Sequence, residues 1–380
     1  MNARIITVEE ELISLKDSWN RLVKSNAETD APFFSWDWFY HSWQHFGKPQ
    51  GWTLAVTAVF DGGKLKGILP LVDGKRKSCG VTYRTRMFCD VGMSPRNMVY
   101  FDPQCDQVEI FRTIFDELFS KRRTWDMIEL GNIPETSSFH KFCLEEKIPY
   151  SALICWQGFK SPFIELGGTL DDYFESLEGK TRKDLRRRMR KFKDYGDAKV
   201  VQFFERPDEI NTGLELLFEV HRHSWKGEFS NPQYREFYKK ISHVLSQNGD
   251  VIVAVAMLNS VPISAGYILK NGDTYFSLVN DHDIKFREIA PGMILFVHEL
   301  DYMIKTGIKK FDFCGTIYDY KEKLSGNILN HSTFQIFHNN IKSKFLYYAK
   351  TFWLPLFRKI LRKPESDDLI AKIKHFNIRR

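Results

Sequence analysis

The stretch YFSLVNDHDIKFREIAPGMILFVHELDYMIKTGIKKFDFCG, Tyr275 to Gly315, decides the reading of this chain. It opens as an alternating strand that ends at Asn280. A polar loop, DHDIKFREIA, follows, and Pro291 and Gly292 then open an apolar helix. Proline suits a first helical turn because the N–H it lacks has no partner there. Glycine beside it removes the Cβ, so a ligand can come close to the backbone. The free N–H groups of that turn and the helix dipole favour an anion, and a diphosphate is the natural occupant. The backbone from Ala290 through Pro291 and Gly292 to Met293 is therefore the candidate cofactor cradle, with Lys285 and Arg287 just upstream as added cations. Ile294, Val297, Leu300 and Ile304 keep helical spacing, Gly307 stops the helix, and KKFDFCGT reads as a further strand.

Working outward, VIVAVAML–NSV–PISAGYILK (251–270) and TYFSLVN form a meander ahead of that helix. WTLAVTAVF–DGGK–LKGILPLV (52–72), the helix QVEIFRTIFDELFSKRRT and the strand WDMIELGN repeat the same order about 190 residues earlier. The chain has 380 residues, 43% of them hydrophobic and 27% charged, which suits two α/β lobes with cores of their own. A lobe at 1–160, a second at 161–344 and a tail at 345–380 are expected.

The excess charge of +7 is concentrated. KTRKDLRRRMRKFK, Lys180 to Lys193, holds nine basic residues against Asp184 alone. As a helix it places Leu185, Met189 and Phe192 on one narrow face, with Arg182, Arg186 and Arg190 in a second row. Such a cluster calls for an anionic partner, whether a phosphate-bearing cofactor, an acidic glycan, RNA or a lipid surface. Thr169 reads as the N-cap of the preceding helix.

Other classes fall away. G-x-G-x-x-G, G-x-x-x-x-G-K-[ST] and H-E-x-x-H are all missing, as is any C-x-x-C pair among the six cysteines. No metal is expected. Neither a secretory leader nor a membrane-spanning run is evident, so a cytoplasmic location is expected. FLYYAKTFWLPLFRKILRK (345–363) mixes aromatic, leucine and basic residues and suits either packing on the body or peripheral contact with the inner face of the membrane.

The order and spacing of PFFSWDWFYHSWQHFG (32–47), LEGKTRKDLRRRMRKF, GDVIVAVAMLNSVPISAGYIL, REIAPGMILF and GIKKFDFCGTIYDYKEKLSG resemble the CelD-like, cellulose-biosynthesis-associated branch of the GNAT acetyltransferases, related to the FemABX aminoacyl transferases. These pieces span about residues 30 to 330. The resemblance implies two tandem GNAT-like lobes, each a mixed, mostly antiparallel sheet flanked by helices. It further implies acetyl-CoA or another acyl-CoA as co-substrate of the second lobe. The acceptor would be a small molecule or glycan, an envelope or exopolysaccharide precursor, with a splayed strand edge at TYFSLVN polarising the thioester. Arg287, Ala290 and Gly292 only approximate the usual Q/R-x-x-G-x-G/A loop.

Acyl transfer needs a free nucleophile, a polarised carbonyl and a protonated leaving thiolate. Tyr318 and Tyr320 are candidates to protonate the thiolate, with Asp283 and His221 as candidate bases. Trp225 is placed to stack on an acceptor, Arg186 and Arg190 to hold its charge, and Trp36 and Tyr40 to wall a binding face in the first lobe. Cys314, in an apolar strand, reads as a structural thiol. Two rival readings stand: a FemABX-like transferase using charged tRNA on the basic helix, and a non-catalytic scaffold of a polysaccharide synthase. Nucleic acid enters only through the first of these.

Overall fold

The computed structural model describes residues 1–29, 31–78, 80–89, 94–120, 124–145, 152–195, 199–315, 318–353 and 373–374. The chain divides into two compact units, Met1–Phe159 with Asn330–Arg380, and Lys160–Leu329. The second boundary differs from the expected 344. The strand Asn327–Phe337 carries the chain into the first unit, where it pairs antiparallel with Met127–Pro134. Its inward Phe334 and Ile336 join the core around Phe111, Phe115 and Phe139. A break placed between strand and tail missed this, because the apolar run looks the same whichever core receives it.

In the first unit Asn2–Ile6, Val56–Asp61, Lys64–Leu69 and Tyr100–Phe101 form one antiparallel sheet. Leu71–Ser78 and Val81–Phe88 form a hairpin in another, next to Met127–Pro134. The helix Gln107–Ser120 buries Ile110, Ile114 and Leu118, the residues its helical spacing picks out. Ser35 caps Trp36–Ser42 by accepting the Trp38 N–H.

The second unit is built on Lys199–Phe204, Val251–Leu258, Val261–Asn271 and Thr274–His282, each antiparallel to the next. The Thr274 strand then runs parallel to the short strand Lys310–Asp312, which pairs with the end of Ala152–Glu165. Alternation sends the residues of the Val251 strand to two faces. Ile252, Ala254 and Ala256 pack with Leu185 and Phe192 of the helix Gly179–Asp194 and with Ile294, Leu295 and Leu300 of the helix Pro291–Lys305. The opposite face receives the helix Ile210–Arg222, which buries Leu214, Leu217 and Val220.

Thr169 and Asp172 form a reciprocal capping box at the helix Leu170–Ser176: Asp172 N–H donates to Thr169 Oγ1, and Thr169 N–H donates to Asp172 Oδ2. Thr169→Ala is expected to cost about 1 kcal/mol in a urea melt, the usual worth of an N-cap.

Of the tail, the helix Ile341–Tyr348 and the turn Ala349–Trp353 are described, with Ile341, Tyr348, Phe352 and Trp353 exposed. Residues 354–372, the bulk of the proposed interfacial segment, lie outside the described residues. No helix among the described residues is long and apolar enough to cross a membrane.

Candidate active site in the second unit

Two parallel strands end at the site and separate there. The Thr274 strand pairs with the Lys310 strand only over Thr274–Phe276 against Lys310–Asp312. On its other edge it stays paired with the Val261 strand as far as Ser264↔His282. The edge from Ser277 to His282 is therefore open where Phe313, Cys314 and Gly315 turn away. A register shift between Tyr267 and Ile268 leaves Leu278 as the extra residue in that strand. Two non-glycine residues at this end hold left-handed backbone, Ala290 (φ 52°) and Cys314 (φ 46°). Conformations of that kind cost energy and concentrate at functional sites.

The Pro291 helix starts over the open edge. A Cβ on Gly292 would lie 3.1 Å from Asn280 Oδ1, 3.8 Å from His282 Nδ1 and 3.9 Å from Ser264 Oγ. A polar floor of three side chains thus lies below the helix start, and glycine keeps the gap open. The expected cradle is narrower than the sequence implied. Ala290 N–H donates to Arg287 O and Met293 N–H to Ala290 O, while Pro291 has no N–H and is buried. Gly292 N–H is left without a protein acceptor among the described residues. Lys285 and Arg287 are exposed in the 3-10 turn Ile284–Ile289 just upstream.

His282 is half-buried, and its ring makes no hydrogen bond among the described residues. Burial holds its pKa below the ordinary 6.5; Lys226 adds to that effect, while Asp281 and Asp283 oppose it. It is a neutral imidazole at pH 7. The sequence points to Asp283 instead, because in DHD no residue type marks which side chain faces the helix start. Only the strand alternation, with 280 and 282 on one face and 281 on the other, does so.

The expected bases are corrected by their surroundings. Asp283 is buried and accepts the Lys285 N–H at 2.8 Å, so it caps the 3-10 turn. His221 is also buried. Its Nδ1 meets Asp281 Oδ2 at 2.6 Å and its Nε2 accepts the Phe229 N–H at 3.1 Å, so both nitrogens are spent. Asp281 is fully buried, and it also accepts from Ser224 Oγ at 2.6 Å and from His282 N–H. Burial alone would raise the Asp281 pKa, but hydrogen bonds from His221 and Ser224 and the charge of Lys226 outweigh it and keep the group ionised. This network fixes the loop after the Ile210 helix. It leaves Trp225 69% exposed and sends Lys226 Nζ to Asn280 O at 2.6 Å.

Beyond the Lys310 strand, Lys321 Nζ donates to Phe313 O at 3.3 Å. Burial, reinforced by Lys226, pulls its pKa down to about 8. Tyr318 and Tyr320 stack with ring centroids 6.1 Å apart, both about half exposed. Partial burial and Tyr318 alongside push the Tyr320 phenol up to about 12, so it keeps its proton at neutral pH.

The remaining candidates divide. Arg186 sits against Glu175 at 3.1 Å and Asp171 at 3.7 Å, already paired, whereas Arg190 is exposed with no ion pair among the described residues. Trp36 belongs to the first unit's packing: it is buried, its Nε1 donates to Leu12 O and its ring stacks on Tyr40, whose hydroxyl donates to Glu9. Trp36 therefore presents no face to a ligand, which corrects its expected role. No group of three metal-ligating side chains is found among the described residues.

The fold is similar to that of FemX, with 14% identity, a TM-score of 0.56, and 91% of this chain and 99% of that one covered. It is also similar to the C-terminal domain of a putative lysylphosphatidylglycerol synthetase from Agrobacterium fabrum (9% identity, TM-score 0.52, 90% and 96% covered). L-PGS from Bacillus licheniformis is a third such structure (11% identity, TM-score 0.51, 94% and 98% covered). No curated protein matches the chain in sequence. Residues 179–322, which hold the open strand edge, the Pro291 helix, Lys226 and Lys321, match the family model of the acetyltransferase (GNAT) domain. The chain thus carries a GNAT-type acetyltransferase domain and is an acyltransferase.

Proposed function

We propose that the second unit transfers an acyl group from acyl-CoA to an amine or hydroxyl of a cell-envelope or exopolysaccharide precursor, as the CelD-like resemblance implies. The observation that carries the donor assignment is the open edge Ser277–His282 below a helix start whose Gly292 N–H is unspent. A pantetheine arm can lie along such an edge, with its amides replacing the missing strand partner. The diphosphate then meets the Gly292 N–H, the helix dipole, Lys285 and Arg287. In the reaction the acceptor lone pair attacks the thioester carbonyl carbon and His282 takes the acceptor's proton. The C–S bond breaks, and the thiolate takes a proton from Tyr318 or Tyr320.

A second reading is favoured by one observation. Lys180, Lys183, Arg190 and Lys191 of the Gly179 helix are exposed without ion pairs among the described residues, a face suited to the phosphates of a charged tRNA. Calorimetry with acetyl-CoA and gel shift with aminoacyl-tRNA separate the two. Saturable acetyl-CoA binding is expected, and Gly292→Trp is expected to weaken it more than tenfold, because the indole fills the gap above Asn280. Steeply salt-dependent tRNA binding without acetyl-CoA binding would reverse the choice.

A further inference from the structure

We propose that Lys226 and Lys321 together bind an anionic group, a carboxylate or a phosphate, carried by the acceptor. The inference rests on the second unit's reading as a transferase, and it names a property of the acceptor that this reading leaves open. Both lysines are half-buried, and neither lies within 4.0 Å of a carboxylate among the described residues. Each spends one donor on a main-chain carbonyl where a strand ends: Lys226 on Asn280 O and Lys321 on Phe313 O. An ammonium has three donors, so two remain on each. One carbonyl lies in the Thr274 strand and the other directly follows the Lys310 strand, the two strands that separate at the site, and Lys226 is near enough for its charge to disfavour that of Lys321.

Asp281 and Asp312 act on these lysines only through space, and two half-buried ammonium groups with no contacting carboxylate among the described residues are costly unless an anion completes them. The carboxylates nearby are committed elsewhere. Asp281 accepts from His221, Ser224 and the His282 N–H, and Asp312 accepts the Cys314 N–H. Nor is Lys226 loosely held. Ser224 Oγ accepts the Lys226 N–H at 3.0 Å while donating to Asp281, so a buried network sets the base of its side chain. Exposed aromatics adjoin both cations in sequence, Trp225 beside Lys226 and Tyr320 beside Lys321, giving apolar faces for the body of the same molecule. A neutral acceptor would leave the pair unsatisfied, which makes the pair a source of selectivity.

The test uses matched acceptors that differ only in the anion: glucosamine against glucosamine 6-phosphate, and serine amide against serine. Calorimetry on the full chain without donor is expected to show the charged member of at least one pair binding tenfold or more tighter. The pair that responds tells phosphate from carboxylate. Lys226→Met should erase that preference and Lys226→Arg should keep it. Equal behaviour of charged and neutral members in both pairs, including no binding by any of them, overturns the proposal. So does a preference that survives Lys226→Met. Failure of acetyl-CoA to bind would sink the donor assignment while leaving the anion preference measured independently.

Discussion

His282→Ala is expected to lower kcat for acyl transfer from acetyl-CoA by about 10²–10⁴-fold, the usual contribution of a positioned general base. The loss should fall on kcat more than on the acetyl-CoA KM, the pattern of a group needed in the transition state. The expectation comes from geometry before acidity. His282 ends the open strand edge, its Nδ1 lies within 3.8 Å of where a Gly292 side chain would begin, and its ring bonds to nothing else among the described residues. Its pKa is held below 6.5, so it is an acceptor of protons at pH 7. The wild-type kcat/KM should accordingly fall on the acid side as the imidazole protonates, at a pH below 6.5, and the residual activity of the variant should lack that limb. His282→Gln keeps the size and loses the base, so it should behave like alanine. A glutamine variant with wild-type kcat, or an acid limb that survives in alanine, would remove His282 from the chemistry.

Much of the fold could be read because this chain's local signals agree with its tertiary structure. The meander from Val251, the Pro291 helix, its stop at Gly307 (φ 80°) and the N-cap at Thr169 all lie where periodicity and cap chemistry put them. The site was less legible, for two physical reasons. A residue's role depends on which face it takes, and a one-residue step reverses that: Asp281 and Asp283 go to buried polar bonds while His282 meets the helix start. The second reason is distance along the chain. Lys226 and Lys321 are 95 residues apart, and only the parallel pairing of the Thr274 and Lys310 strands brings their carbonyl acceptors to one end of the sheet. The basic helix shows the converse. Its charge is evident in the sequence, yet Arg182 and Arg186 are already matched by Glu175, so the charge run overstates the free cation count.

Glu299 gives the second large effect. It is fully buried on the Pro291 helix, and neither carboxyl oxygen has a hydrogen-bond partner among the described residues. Burial pushes its pKa from the ordinary 4.5 up to about 8, so the folded chain holds it as the neutral acid. Room for it exists because residue 266 is glycine: a Cβ there would overlap Glu299 Oε1. The sign of the linkage follows from proton counts. Between pH 4.5 and about 8 the folded state binds the proton and the unfolded state has released it, so stability falls as pH rises, by about 1.4 kcal/mol per unit. The slope ends once the folded carboxyl also ionises. Glu299→Gln imitates the neutral acid at every pH and should lack this slope. The variant should match the wild type near pH 4.5 and exceed it at pH 9 by on the order of 4 kcal/mol. Hydrogen exchange in the Pro291 helix, corrected for intrinsic rates, measures the difference where it arises; a wild type and variant with parallel pH dependence would place the charge elsewhere. The loss should also reach the donor site, because Glu299 lies two turns along the helix from Gly292. It abuts Gly266, the register partner of Asn280, over which Gly292 sits. Acetyl-CoA affinity in the wild type should therefore weaken above pH 8 while that of Glu299→Gln holds, the carboxyl acting through the seating of the helix and not by touching the ligand.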